Sequence, residues 1–231
     1  MVVVIACLGT AYGLSTVRTK FESMPVVQFD STLTPTNEVS EPRNFLIIGT
    51  DSAARLDEDD AVAEGRSKLG TLADVIMILR VDPRDESVRL LSIPRDSRVA
   101  ISPGGNMSRI NTAISGVDGP KNLVQTIKRN FGISIDNYVE IDFQSFRDLV
   151  EVLGGVPVYF ATPVRDKETG LDVREPGCRM LDPVQALAYA RSRHFEYQDD
   201  GKWRTDGTGD LGRITRQQDF IKRALRRAAD K

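Results

Sequence analysis

Asn44-Phe-Leu-Ile-Ile-Gly-Thr-Asp51 is a short apolar run that breaks at a glycine and ends on a carboxylate. Such a run reads as a buried strand. A carboxylate directly after it lies at the C-terminal edge of a sheet, where open α/β sheets place their ligands. A second apolar run, Val75–Val81, starts directly after Asp74 and is rich in β-branched residues. Asp82-Pro83-Arg84-Asp85 is a turn signal and Ser87–Ile93 a returning strand, so this pair is a hairpin. Downstream, helical and strand patterns alternate. Pro120–Phe131 predicts a helix with Leu123, Ile127 and Phe131 on one face, and Tyr138–Phe143 a strand. Phe146–Leu153 predicts a helix stopped by Gly154-Gly155, and Val156–Phe160 another strand. Asp182-Pro183 supplies an N-cap and first helical residue for a helix through Ala190. The last helix, about Leu211–Ala229, is expected to bury Ile214, Ile221, Leu225 and Ala228. Alternation with at least one hairpin places the chain in the α/β class, a sandwich with a mixed sheet.

The 231 residues suffice for one sizeable domain. A formal net charge of −2 gives no electrostatic footprint for nucleic acid. Arginine far outnumbers lysine, and its planar fork matches phosphate better than a point charge does. Cys7 and Cys178 form no C-x-x-C pair and His194 is the single histidine, which removes structural zinc, a His-rich metal site and a compact Ser-His-Asp triad. The first 17 residues carry no charge and are followed by Arg18 and Lys20. This run reads as a signal anchor; a cleaved signal and a lipobox at Val4-Ile5-Ala6-Cys7 are the competing readings. The expected organisation is an anchor over 1–17, a polar Pro/Ser/Thr-rich tether over 18–43 and a folded domain over 44–231.

Short apolar elements in this chain repeatedly end in Asp or Arg. Asp51 and Asp74, at neighbouring strand ends, can hold one Mg²⁺ and leave positions for phosphate oxygens. Arg95-Asp96 follows the returning strand, and Arg109-Ile110-Asn111 follows a Gly-rich loop. Arg191 and Arg193 share a face only if the chain there is extended, so the preceding helix is expected to end near Ala190. Asp210 opens the last helix, on which Arg213 and Gln217 lie one turn apart, near an N-terminus that favours anions. Each residue alone reads as ordinary surface charge.

Together, Gly-Thr-Asp51, Ala-Asp74, Ile-Pro-Arg95-Asp96, Arg109-Ile-Asn111, Leu153-Gly-Gly-Val156, Arg191-Ser-Arg193 and Asp210-Leu-Gly-Arg213-x-x-Arg216-Gln217-Gln218 resemble, in order, the LytR-CpsA-Psr family. The resemblance runs from about Asn44 to the C-terminus. It implies an α/β/α domain on a single membrane anchor, outside the cytoplasm. It implies an enzyme that moves a glycopolymer phosphate from a polyprenyl pyrophosphate carrier to a peptidoglycan hydroxyl. By that resemblance Asp51 and Asp74 bind Mg²⁺ (or Mn²⁺). Arg95, Arg109, Arg191, Arg193 and Arg213 line the pyrophosphate in one pocket, and Gln217 bonds the head group. Asp96 and Asp210 orient the arginines. Arg95, Arg191, Arg193, Asp51 and Asp74 are then the catalytic set, with Asp51 or Asp74 a candidate base for the acceptor. The chain departs from the family at Leu72, where an arginine is usual; Arg66 or Lys68 can substitute. The segment from His194 to Gly209 is long and is expected to form a flap over the acceptor.

Gly207-Thr-Gly-Asp-Leu-Gly212 fits a dinucleotide fingerprint but lacks the preceding apolar strand. Asp57-Glu-Asp-Asp60 reads as a solvated loop rather than a Ca²⁺ site. Two other functions use the same residues: hydrolysis of a polyprenyl pyrophosphate, and a non-enzymatic membrane regulator. The sequence leaves the polymer and the oligomeric state open.

Overall fold

A computed structural model of the chain describes residue 33, residues 41–50 and residues 73–229. The expected anchor, most of the tether, Asp51, the acidic loop, Arg66, Lys68 and Leu72 lie outside these residues. Among the described residues no helix is long and apolar enough to cross a membrane. The chain divides after Ser145 into two compact units, each with its own core.

The first unit holds a four-stranded sheet in the order β3-β2-β1-β6, built from β1 (Arg43–Thr50), β2 (Ala73–Asp82), β3 (Ser87–Ser92) and β6 (Asn137–Ile141). β1 runs antiparallel to β2 and parallel to β6, so the sheet is mixed, as the alternating pattern predicts. The β2–β3 hairpin turns where expected: Asp82 Oδ1 accepts the Arg84 amide (3.2 Å) and Asp85 Oδ1 that of Ser87 (3.1 Å). Helix α1 (Gly119–Phe131) brings Leu123, Val124 and Ile127 into one buried cluster with Leu46, Ile48, Ile76 and Ile78. Phe131, expected on the same face, is exposed, because the helix ends there at left-handed Gly132 (φ 68°). A short antiparallel ribbon, β4 (Arg98–Ala100) with β5 (Met107–Arg109), leads into a 3₁₀ helix over Ile110–Ile114. Neither short strand has an apolar alternation long enough to read in sequence.

Helix α2 (Phe143–Val152) starts three residues earlier than expected, because Asp142 Oδ1 accepts the Ser145 amide (2.7 Å) and caps it. It stops at Gly154 and Gly155, both at positive φ. In the second unit β7 (Val156–Phe160) pairs with β10 (Gly177–Leu181), and β8 (Val164–Asp166) with β9 (Leu171–Val173). The segment after His194 forms a hairpin, β11 (Glu196–Asp199) with β12 (Lys202–Thr205), whose first strand pairs with β8. The stretch read as a flap is thus a built extension of this sheet. Helix α3 (Pro183–Arg191) is capped by Asp182, which accepts the Gln185 amide (2.8 Å), and it includes Arg191.

Helix α4 (Gly209–Ala229) buries Arg213, Arg216, Gln217, Phe220 and Ala224. The expected stripe of Ile214, Ile221 and Leu225 is only partly covered. The helix is rotated because Arg216 and Gln217 find buried carbonyl partners, which repays the burial of polar groups.

Candidate functional site

The first cluster grows from a bulge. Gly49 faces Val75 and Thr50 faces Ala73, so Asp74 is an extra residue on β2. Bulges re-aim a side chain, and this one gives Asp74 a position outside the regular alternation. Only glycine fits at position 49, since a Cβ there would lie 2.9 Å from Val75 Cβ. After β3 the chain is pinned by Ile93 N–H to the Ile76 carbonyl (2.8 Å) and Ser97 N–H to that of Pro94 (2.9 Å). Arg95, between these bonds, donates through Nη1 to Asp74 Oδ1. Asp96 stands between two guanidiniums, with Oδ2 at 3.6 Å from Arg95 Nε and Oδ1 at 3.5 Å from Arg109 Nη1. Asp74, Arg95, Asp96 and Arg109 therefore form one cluster. Thr50 Oγ1 is buried beside it without a hydrogen-bond partner among the described residues.

The second cluster sits where α3 ends. Asp210 Oδ1 lies 2.7 Å from Arg213 Nη2 and 3.4 Å from Arg193 Nε, so one carboxylate again serves two arginines. Arg213 is buried and its head group fixed, whereas Arg193 is partly exposed. Arg191 is the last helical residue. The turn that follows is clamped on two sides. From α4, Gln217 Nε2 donates to the Ala190 carbonyl (3.0 Å) and Arg216 Nη2 to that of Ser192 (2.7 Å). From β8, Asp166 Oδ2 accepts Ser192 Oγ–H (2.6 Å) and the amides of Arg193 (3.1 Å) and His194 (3.0 Å). Asp166 Oδ1 takes the amides of Glu168 (2.9 Å) and Thr169 (3.2 Å). Burial works to raise the Asp166 carboxyl, but the Ser192 hydroxyl and the surrounding amides outweigh it and hold the group below the usual carboxylate range.

Arg216 is fixed in turn. Its Nη1 donates to Asp206 Oδ2 (2.9 Å) and its guanidinium stacks 4.5 Å from the Phe195 ring. The Asp206 carboxyl, raised by burial, is carried below its usual range by bonds from Thr208 and Arg216. Gly212 makes room for this packing, since a Cβ there would meet Thr208 Oγ1 at 1.9 Å.

A model of the LytR_cpsA_psr family matches residues 13–231. The chain belongs to the LytR-CpsA-Psr family. Relatives agree with this placement. LcpB of Corynebacterium glutamicum, described as a probable cell wall biosynthesis protein, is 34% identical over 95% of this chain and 51% of its own length. A polyisoprenyl-teichoic acid–peptidoglycan teichoic acid transferase, TagU of Halalkalibacterium halodurans, is 33% identical over 82% of this chain and 54% of its own. The chain thus spans about half the length of the curated relatives it matches. Among solved structures, the LytR-Csp2A-Psr enzyme of Actinomyces oris superposes with a TM-score of 0.62 at 29% identity, covering 84% of this chain and 67% of that one.

Of the residues that the family motifs single out, Asp74, Arg95, Asp96 and Arg109 meet in the first unit. Arg193, Asp210 and Arg213 meet in the second, with Arg191 and Gln217 beside them. Asp51 lies outside the described residues. Asp166, Ser192, Asp206 and Arg216 have supporting roles in the structure that the sequence does not announce. Arg216 and Ser192 sit inside quoted motifs, and their spacing from Gln217 and Arg191 was a usable signal. Asp166 and Asp206 carry no such mark, because their partners are backbone amides and distant side chains.

Proposed function

We propose that this chain is a phosphotransferase of cell-wall assembly, moving a glycopolymer phosphate from a polyprenyl pyrophosphate carrier to a peptidoglycan hydroxyl. The observation that carries the reading is the repeated pairing of two arginines on one carboxylate: Arg95 and Arg109 on Asp96, Arg193 and Arg213 on Asp210. The second cluster keeps one positive charge in excess, the first balances Arg95 and Arg109 with Asp74 and Asp96, and both aim their forks with carboxylates, which is what a phosphoryl group in flight requires. Relatives named as teichoic acid transferases support the reaction class. In this reading the uncharged run 1–17 anchors the chain in the cell membrane, with the catalytic domain on the outer side where peptidoglycan lies.

The donor set suits a hard divalent cation. Asp74 supplies a carboxylate, Asp51 follows β1 in sequence, and Thr50, whose hydroxyl is unpartnered among the described residues, faces Ala73 next to Asp74. Mg²⁺ and Mn²⁺ accept two carboxylates and complete their shell with water and phosphate oxygens. Asp51 and Asp74 would hold the ion, which supplies charge neutralisation at the diphosphate when bound. The protein's own part is to offer guanidiniums to phosphoryl oxygens, Arg95 and Arg109 from the first unit and Arg191, Arg193 and Arg213 from the second.

The test uses the full chain in detergent, a polyprenyl-pyrophosphate-linked glycopolymer and peptidoglycan. Arg95→Ala and Arg193→Ala are expected to lower transfer by about 100-fold or more, the scale of one lost electrostatic donor, with unchanged thermal midpoints. Full transfer by either variant counts against the reading. Polymer released into solution without acceptor would mark a hydrolase, and no turnover under any condition a regulator.

A further inference from the structure

Arg98 and Arg109 face each other across the β4–β5 ribbon. The bond from Ile110 N–H to the Ser97 carbonyl (2.9 Å) lies just beside this pair, so the two arginines occupy a non-hydrogen-bonded position. Side chains come closest there, with Cβ atoms roughly 4.5–5.5 Å apart. Like charges placed directly opposite in an antiparallel pair repel and weaken the ribbon. Asp96 reaches Arg109 and Arg95, and Asp74 is engaged by Arg95. Arg98 is exposed and makes no ion pair or side-chain hydrogen bond with any described residue. This corner thus carries three arginines and two carboxylates.

The ribbon that carries the pair is held firmly. Val99, between the two faces, is buried in the core. Asn130 of α1 takes the Ala100 amide on Oδ1 (3.1 Å) and donates from Nδ2 to the Ala100 carbonyl (2.9 Å), occupying the open edge of β4. Thr126 Oγ1 accepts the Ser102 amide (3.0 Å). A fixed backbone brings two arginine stems together on one face, where both forks can meet a tetrahedral oxyanion, each with two parallel N–H bonds. An anion between them converts the repulsion into two attractions.

We propose that Arg98 and Arg109 form a clamp for a phosphoryl group of the donor, with Arg98 as a binding residue of its own. The inference rests on the transferase reading and deepens it. The phosphoryl group belongs to the diphosphate or to a phosphodiester of the attached polymer. The two sources are separated by titrating the full chain in detergent with farnesyl pyrophosphate and, in parallel, with a glycerol phosphate oligomer.

Arg98→Glu is expected to weaken one probe by about tenfold or more, the scale of a charge-assisted hydrogen bond, and Arg98→Gln by less. Without ligand, Arg98→Glu makes the cross-strand pair opposite in charge and is expected to raise the thermal midpoint by ~1–3 °C. A purely structural arginine would not trade anion affinity for stability in this way. Loss of farnesyl pyrophosphate affinity assigns the clamp to the diphosphate; loss for the oligomer alone assigns it to the polymer. If Arg98→Glu binds both probes like wild type while Arg95→Ala loses farnesyl pyrophosphate, the clamp is overturned and the transferase reading stands. If Arg95→Ala also binds like wild type, that reading falls and the clamp with it.

Discussion

Replacing Asp166 with Asn keeps the shape of a fully buried side chain and removes its charge. Five donors point at this carboxylate, three at Oδ2 and two at Oδ1. An asparagine has one oxygen and one NH₂. With its oxygen toward Ser192, Arg193 and His194, the NH₂ confronts the amides of Glu168 and Thr169; flipped, it confronts the other three. At least two buried donors lose their acceptor, at about 1–3 kcal/mol each, and the remaining bonds lose their charge assistance. We therefore expect Asp166→Asn to cost about 3 kcal/mol, or ~6–12 °C in the thermal midpoint of a chain this size. Transfer should fall as well, because the Arg193 backbone is no longer tied. The pH dependence gives an independent check. The folded-state carboxyl is depressed, so its contribution is complete above the ordinary carboxylate range, about 4, and disappears as pH drops through the lower folded value. The gap between wild type and variant should be widest at neutral pH and close on acidification. Melting curves from neutral to acid pH measure it, and equal midpoints at neutral pH, or a gap that stays constant, would refute the reasoning.

Gly49→Val places a Cβ against Val75 and must shift the bulge that carries Asp74. A loss of about 1–3 kcal/mol in urea titration is expected, together with a drop in transfer that Ala at exposed Arg84 does not share. Arg216→Lys keeps the charge but cannot reach the Asp206 carboxylate and the Ser192 carbonyl together, as the planar fork does. It should cost about 2 kcal/mol; a variant as stable as wild type would show that the two bonds are not both needed.

The elements with long apolar runs were readable in sequence. β1, β2, β3, α1, β6 and β7 fall where alternation and turn residues put them, and the Asp182 cap and the Gly154-Gly155 stop behave as their chemistry predicts. The three-residue strands β4, β5, β8 and β9 were not, because so short a strand is defined by its partner more than by its own pattern. The rotation of α4 was missed for a related reason. A periodic count places Ile214 and Ile221 inside, but the helix turns to satisfy Arg216 and Gln217 on carbonyls of the α3 end. Arg191 and Arg193 were expected on one extended face. Arg191 instead closes the helix and Arg193 leaves it through a turn held by Asp166, an anchor 27 residues upstream in sequence that no local signal reveals.

The same device recurs in both clusters and explains why carboxylates belong among so many cations. Two guanidiniums brought together without a counter-ion repel, and long side chains would scatter into water. One shared carboxylate, Asp96 in the first cluster and Asp210 in the second, holds both forks near a common point. In the first cluster Asp74 adds a second carboxylate and balances the pair, whereas in the second Asp210 alone leaves one positive charge over. Too few carboxylates would leave the forks disordered, and the ordering entropy would then fall on substrate binding. Asp166, deeper in the second unit, adds a different kind of support. Its charge is absorbed by a hydroxyl and four backbone amides, so it fixes the chain that bears Arg193 without neutralising the guanidinium itself. Positioning and charge are thereby supplied by separate residues. The proposed phosphoryl transfer would gain from this arrangement, since donors must stand in place before charge develops.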